Sequence, residues 1–289
     1  MAVIDPTAEI GRDVTIGPFC HVGAGVRLGD GCLLHTNVTL LGPATIGPRN
    51  IFFPCTTIGT APQDLKYKGG PTSVAIGSDN IFRENVTIHR GTEVDRVSGG
   101  VTRIGDHNLL MVGVHIAHDC DIGSNCIIAN QVQLAGHVRI EDCVNVGGAS
   151  AMHHFVTIGR NAFVGGMTRV THDVPPYVKV QGYDQEVRGL NLAGVQRWQL
   201  PEASISALKT AVRLLFVRRG ENAPGRTVEG IREIEANGLI ADEHVRTLVE
   251  FLKRKLEIGI YGRVREHFRQ DSDADRESFY RAAGTDGAV

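Results

Sequence analysis

A six-residue step governs most of this 289-residue chain. From Ile4, every sixth position is apolar through Ile10, Ile16, Val22, Leu28, Leu34, Leu40, Ile46 and Phe52 to Ile58. A shorter run covers Ile76, Phe82 and Ile88, and a third extends from Ile104 through Ile116, Leu134 and Met152 to Val170. This period fits neither an amphipathic helix nor the strict alternation of a meandering sheet. It fits a short strand and a tight turn, repeated as the flat sides of a coiled ribbon. Positions two residues before the markers are small or β-branched, among them Val14, Cys20, Val26, Cys32, Val114, Cys120, Cys126 and Val138. Alternate residues of a strand share a face, so both sets point into one narrow core. The composition agrees, since 35 glycines suit many turns and 6% aromatic residues suit a thin interior.

The six cysteines contain no CxxC pair and no zinc-type spacing, and four of them fall on core positions, where they read as filler. Lys+Arg 30 against Asp+Glu 32 gives a net charge of -2, which offers no electrostatic case for a nucleic-acid partner. No apolar run reaches the length of a transmembrane segment. Asp5 and Glu9 stand where a signal peptide needs a basic and then an apolar stretch, so a cytoplasmic location is expected.

Two polar, glycine-rich excursions, 60–75 and 91–102, interrupt the period and are expected to project as loops. After Pro175-Pro176 the pattern changes. Ile205, Leu208, Val212 and Leu215 form a helical stripe after Pro201-Glu202, and 227–237 and 241–256 read as two more helices. The expected organisation is therefore mainly β: a β-helix domain over 1–188, then a small α-helical C-terminal domain over 189–289 that covers the open end of the solenoid. Beyond about Gly262 the tail is polar and reads as partly disordered.

Ten of the twelve histidines lie before position 173. With three hexapeptides per coil, residues 18 apart stack. His118 then leads to Gly136, His154 and His172, while Asp119 leads to His137; His115 and His153 lie beside the same column. A lone histidine such as His21, His35 or His107 more often satisfies a turn. A stacked cluster beside an aspartate offers a base of near-neutral pKa next to a carboxylate that fixes its tautomer. Histidines on adjacent coils could alternatively hold zinc, as in a hydratase on such a scaffold.

The period resembles that of the hexapeptide-repeat acyltransferases, which implies a left-handed parallel β-helix of triangular section. Longer strings narrow the likeness: QDLKY (63–67), ENVTIHRGT (84–92), DHNLLM (106–111), HIAHDC (115–120), LAGHV (134–138) and DVPPYV (173–178). Together they resemble the acyl-carrier-protein:UDP-N-acetylglucosamine O-acyltransferases of lipid A biosynthesis, to about Arg197.

That resemblance implies transfer of an (R)-3-hydroxyacyl group from acyl carrier protein to the 3-hydroxyl of UDP-N-acetylglucosamine, with no cofactor and no metal. It implies His118 as general base, Asp119 as its orienting carboxylate and the Gly136 N–H as oxyanion donor. Asp64, Lys66, His89, His115, His137 and His153 match positions that hold the sugar nucleotide or shape the site. Asn191 and Arg197 match positions that meet the nucleotide and its phosphates. Gly166 matches a position that sets acyl length, with Met167 and Phe163 placed to shorten the groove. The family forms homotrimers with sites between subunits. Three features depart from its pattern: Ala193 replaces a usual glutamate, His154 replaces a usual glutamine, and the tail is long. Two alternatives stand beside this reading, the zinc-dependent hydratase and the related N-acyltransferase. The latter normally carries an added N-terminal domain, for which hexapeptides starting at Ile4 leave no space. Acyl length, and a 3-hydroxyl against a 3-amino acceptor, stay open.

Overall fold

The structure, a computed structural model, describes residues 1–93, 95, 97–216 and 224–269. The hexapeptides wind into a left-handed parallel β-helix with three flat faces. The first face has nine strands, from Val3–Ile4 to Arg169–Val170. The second has eight, from Glu9–Ile10 to Thr157–Ile158, and the third has ten, from Thr15–Ile16 to Glu186–Leu190. Register follows the 18-residue coil: Val3 pairs with His21, His115 with Gln133, Gln133 with Ala151, and Ala151 with Arg169.

From Val22 to Val170 the markers are buried in the core, whereas Ile4 and Ile10 of the first coil, expected inside, are exposed at the open end. Within the core, Phe52 and Phe82 of adjacent coils stack along the axis at 4.9 Å. Buried asparagines tie the coils vertically. Asn50 Oδ1 accepts from the Asn80 N–H and side-chain amide, Asn80 Oδ1 from the Asn108 N–H, and Asn108 Oδ1 from the Cys126 N–H. Cys20, Cys32, Cys120 and Cys126 are buried as expected, and burial pushes the thiols of Cys120 and Cys126 up to about 12.

Both excursions leave the corner between the first and second faces. Strands Thr57–Thr60 and Ser73–Ile76 bracket the first loop, and Thr87–His89 and Val101–Ile104 the second, so the adjoining strands reach into both expected loop ranges. The next coils place His118, His137 and His154 at that same corner. A single edge of the prism therefore carries two loops followed by a stack of polar corner residues.

The coil ends differently from the expectation. Strand Val178–Gln181 pairs antiparallel with Glu186–Leu190, a hairpin that the hexapeptide period does not encode. Among the described residues four α-helices follow: α1 (Leu192–Arg197), α2 (Glu202–Phe216), α3 (Pro224–Ala236) and α4 (Glu243–Ile258). The short α1 was not expected. It starts at Asn191, whose side chain accepts from the Gly194 N–H. In α2 the stripe Ile205, Leu208, Val212 and Leu215 is buried.

Residues 263–269 are ordered against the β-helix, with Arg265–Phe268 in a 3-10 turn and Arg263 and Glu266 buried. The remainder of the tail, 270–289, lies outside the described residues.

The core placement of the cysteines is open to thiol titration. Ellman's reagent on the native protein is expected to modify exposed Cys55 quickly and half-buried Cys143 slowly, with the other four reacting only after unfolding. Reaction of all six at one fast rate in the native state would contradict that placement.

Candidate active site

The polar edge is assembled by register. The corner after strand His115–Ile116 carries His118 and Asp119; one coil on, the same corner carries Gly136 and His137, and the next carries His154 and Phe155. The His137 N–H donates to the His118 carbonyl at 3.0 Å and the Phe155 N–H to the Gly136 carbonyl at 3.2 Å, which fixes the vertical spacing. Asp119, His137 and Phe155 all adopt left-handed backbone, with φ of 59°, 64° and 63°. That region costs an L-residue roughly 1–2 kcal/mol, and aspartate tolerates it better than most. Gly136 is required for a different reason, since a Cβ there would lie 2.6 Å from His118 Nε2.

Asp119 is fully buried and saturated. Its carboxylate accepts from His118 Nδ1 at 2.8 Å, Thr92 Oγ1 at 2.7 Å, the Thr92 N–H at 2.9 Å and Ser98 Oγ at 2.7 Å. Burial alone would raise its pKa; the His118 bond, the His137 charge and the Ser98 and Thr92 hydroxyls outweigh burial and hold it below the ordinary value. An ionised carboxylate only accepts, so His118 Nδ1 carries a proton, and in the neutral imidazole the lone pair is on Nε2. Nε2 lies 3.8 Å from Asp64 Oδ2.

A second pair stands behind the first. His137 Nδ1 meets Asp95 Oδ2 at 2.6 Å, with both side chains nearly buried. Burial opposes ionisation of Asp95, but the His137 bond and charge and the N–H groups of Ser98 and Val97 bring it down to about 2. His137 and His118 contact edge to face at 5.0 Å, and His137 stacks on Phe155 at 4.3 Å.

The first loop forms the opposite wall. Asp64 caps its turn by accepting from the Lys66 N–H, and Lys66 Nζ lies 3.6 Å from Asp64 Oδ2. Arg90 pins the loop by donating to the Gly59 carbonyl and the Tyr67 hydroxyl. Between the walls lies a cleft of about 370 Å³, lined by His118, Gly136, His137, Asp64, Lys66 and Arg269 among others.

The other expected residues lie elsewhere. His89 and His115 contact edge to face at 5.0 Å but do not line the cleft. Burial, then the charges of His115 and His118, hold His89 down to about 4, and burial lowers His115 as well. His153 packs on His154 at 3.8 Å. Asn191 is buried as the α1 cap and donates to the Asn161 carbonyl, while Arg197 is exposed in the last turn of α1; neither reaches the cleft within this chain. Gly166 and exposed Met167 sit at the corner where first-face strands begin, six residues before the equivalent of the histidine corner, a separation of roughly 20 Å along the face.

Sequence reasoning missed Thr92, Asp95 and Ser98, which sit in an aperiodic loop, and also Phe155 and Arg269. The 18-residue step from His137 would have found Phe155; no local signal marks the others. Two carboxylate–histidine groups, Asp64–His118–His137 and Asp95–Asp119–His137, have atoms close enough to share a metal ion. In both, however, the imidazole Nδ1 atoms already face carboxylates.

Comparison with known proteins defines the class first. The family model "Bacterial transferase hexapeptide (six repeats)" matches residues 7–42 and 102–136, and "Udp N-acetylglucosamine O-acyltransferase; Domain 2" matches 173–261. These are the marks of a hexapeptide-repeat transferase. An acyl-(acyl-carrier-protein)–UDP-N-acetylglucosamine O-acyltransferase from Synechocystis is 52% identical over 179 residues, 62% of this chain and 63% of that relative's length. The solved structure of LpxA from Acinetobacter baumannii is 40% identical, with a TM-score of 0.80, and covers 88% of this chain and 95% of its own. That of LpxA, a UDP-N-acetylglucosamine acyltransferase from Bacteroides fragilis, is 34% identical with a TM-score of 0.79, over 87% of this chain and 95% of its own. The chain belongs to the UDP-N-acetylglucosamine O-acyltransferase family.

The Asp95–His137 pair has a pH signature. Asp95 sits at about 2 when folded against an ordinary value of 3.8, so it stabilises the fold above about pH 4 and that contribution is lost as pH falls towards 2. The shift corresponds to roughly 2 kcal/mol. Urea unfolding at several pH values is expected to show Asp95→Asn less stable than wild type at pH 7, with a shallower acid loss. An identical pH slope in the two proteins would contradict the pairing.

Proposed function

We propose that this chain transfers an (R)-3-hydroxyacyl group from the thioester of acyl carrier protein to the 3-hydroxyl of UDP-N-acetylglucosamine, the opening step of lipid A biosynthesis. One arrangement carries the reading: the His118–Asp119 pair, with its Nε2 lone pair beside Gly136 in a cleft. Names of the relatives support the substrates, since the Synechocystis protein is an acyl-carrier-protein-dependent O-acyltransferase of that sugar nucleotide.

In this reading the sugar hydroxyl hydrogen-bonds to His118 Nε2. As its oxygen attacks the thioester carbonyl, His118 takes the proton and Asp119 stabilises the imidazolium that forms. The carbonyl oxygen becomes an oxyanion and accepts from the Gly136 N–H. Among the described residues that N–H makes no hydrogen bond within the coil, which leaves it available. Collapse of the tetrahedral intermediate breaks the C–S bond, and the leaving thiolate takes the proton from His118. The products are an ester and the carrier's thiol. Asp64 and Lys66 are assigned to the acceptor, facing His118 across the cleft.

We assign His137 to shaping the wall, His89, His115 and His153, which lie outside this chain's cleft, to holding the sugar nucleotide, Asn191 and Arg197 to the nucleotide of a site completed by a neighbouring subunit, and Gly166 with Met167 to the acyl end. The assembly is then a homotrimer. Among the described residues no helix is long and apolar enough to cross a membrane; with a carrier-bound donor, we assign the reaction to the cytoplasm.

The test is mass spectrometry of products from UDP-N-acetylglucosamine and a panel of hydroxyacyl carrier proteins. An O-acylated sugar nucleotide is expected; its absence with every donor overturns the reading. His118→Ala should lower turnover by about 10²–10⁴-fold, and Gly136→Ala by at least as much, because the added methyl displaces the base as well as crowding the oxyanion donor. A folded His118→Ala variant of normal activity would remove His118 as base. Light scattering should give three times the chain mass of 31.2 kDa; a monomer of full activity would contradict the shared site.

A further inference from the structure

The end of the described chain returns to the cleft as a strap. After α4 the backbone turns at Gly262, where φ is 71° and an added Cβ would lie 2.9 Å from the His172 Cβ. The strap is fastened to the histidine edge at several points. The Asp173 N–H donates to the Gly262 carbonyl and the Val264 N–H to Asp173 Oδ2, both at 2.8 Å. Arg263 donates to the Thr171 carbonyl at 2.8 Å, and Arg265 Nε to the His137 carbonyl at 3.1 Å. Glu266, buried, receives Arg263 at 2.9 Å and Arg269 at 3.2 Å, and lies 3.8 Å from His154 Nε2. Two departures from the family pattern, His154 and the long tail, thus meet in space.

The last described side chain, Arg269, lines the cleft opposite Lys66, with its guanidinium 5.8 Å from the Phe155 ring centroid. Residues 263–269 hold three arginines and one glutamate. Burial, then the charge of His153, keeps His154 at about 4, so neutral His154 leaves Glu266 to the two guanidiniums. The strap therefore brings a guanidinium into a cleft that also holds Lys66 and its neighbour Asp64.

We propose that Arg269 is a binding residue of the cleft, held by the strap so that its guanidinium recognises a phosphate oxygen of a substrate. This rests on the reading above, in which both substrates carry such groups: the diphosphate of the sugar nucleotide, and the phosphodiester that joins the carrier protein to its thiol arm. A guanidinium fork suits either, and is oriented here by Glu266 and Phe155.

The experiment compares the full-length wild type with Arg269→Ala and Arg269→Lys, each checked for unchanged melting temperature. UDP-N-acetylglucosamine binding is titrated calorimetrically, and KM is measured for hydroxyacyl carrier protein and for a phosphate-free hydroxyacyl-pantetheine thioester. Arg269→Ala is expected to weaken one phosphate-bearing substrate by about 10–100-fold, with kcat little changed and partial recovery in Arg269→Lys. A weaker sugar-nucleotide titration assigns the diphosphate. A raised KM for the carrier protein but not for the phosphate-free thioester assigns the phosphodiester. Unchanged binding of both, or equal losses that include the phosphate-free donor, overturns the proposal. The titration reports on Arg269 even if wild type proves inactive, so failure here is distinguishable from failure of the acyl-transfer reading.

Discussion

The structure depends on one constraint: parallel strands two to four residues long must stack in register at an 18-residue repeat. Strands this short have little side-chain area of their own, so each coil is stable only when its N–H and C=O groups meet the coils above and below. A slip of one residue would turn every marker outward. The buried asparagine ladder from Asn50 through Asn108 to Cys126 resists such slips, because each amide oxygen meets a backbone N–H only in the observed register.

That same register makes the site. Corner residues must turn sharply, and the left-handed backbone at Asp119 and His137 is the means. It aims consecutive side chains along one edge, where coils about 4.8 Å apart bring together groups 18 residues distant in sequence. The edge would be an exposed polar column were it not closed on three sides. One loop supplies Asp64 and Lys66, the second supplies Thr92 and Ser98 to the Asp119 carboxylate and Asp95 to His137, and the C-terminal strap reaches in from the far end. Asp119, buried and ionised, is tolerable only because four hydrogen-bond donors surround it.

Much of this was legible in the sequence, and for physical reasons. The period exposed the core, including the cysteines, because every marker faces the same interior. Stepping by 18 found His118, Asp119, Gly136 and His137 because the coil length is constant through that stretch. Legibility ended where periodicity did. Asp95 contacts His137 across 42 residues of separation and Arg265 contacts it across 128, through segments with no repeat. Asn191, matched to the nucleotide by resemblance, also starts α1 and donates to the Asn161 carbonyl, a role in the fold that no local signal marks. The packing of 263–269 on the β-helix is not legible in a polar sequence, because it rests on the distant Thr171 carbonyl and Asp173 carboxylate.

A crystal structure of the chain with UDP-N-acetylglucosamine bound tests the central claim most directly. The expected result is the 3-hydroxyl oxygen within about 3.2 Å of His118 Nε2, with His118 Nδ1 still on Asp119 and the Gly136 N–H open towards the reacting face. A sugar seated with that hydroxyl beyond hydrogen-bond reach of His118, or with its ring oxygen or nucleotide occupying the space beside Nε2, would contradict it.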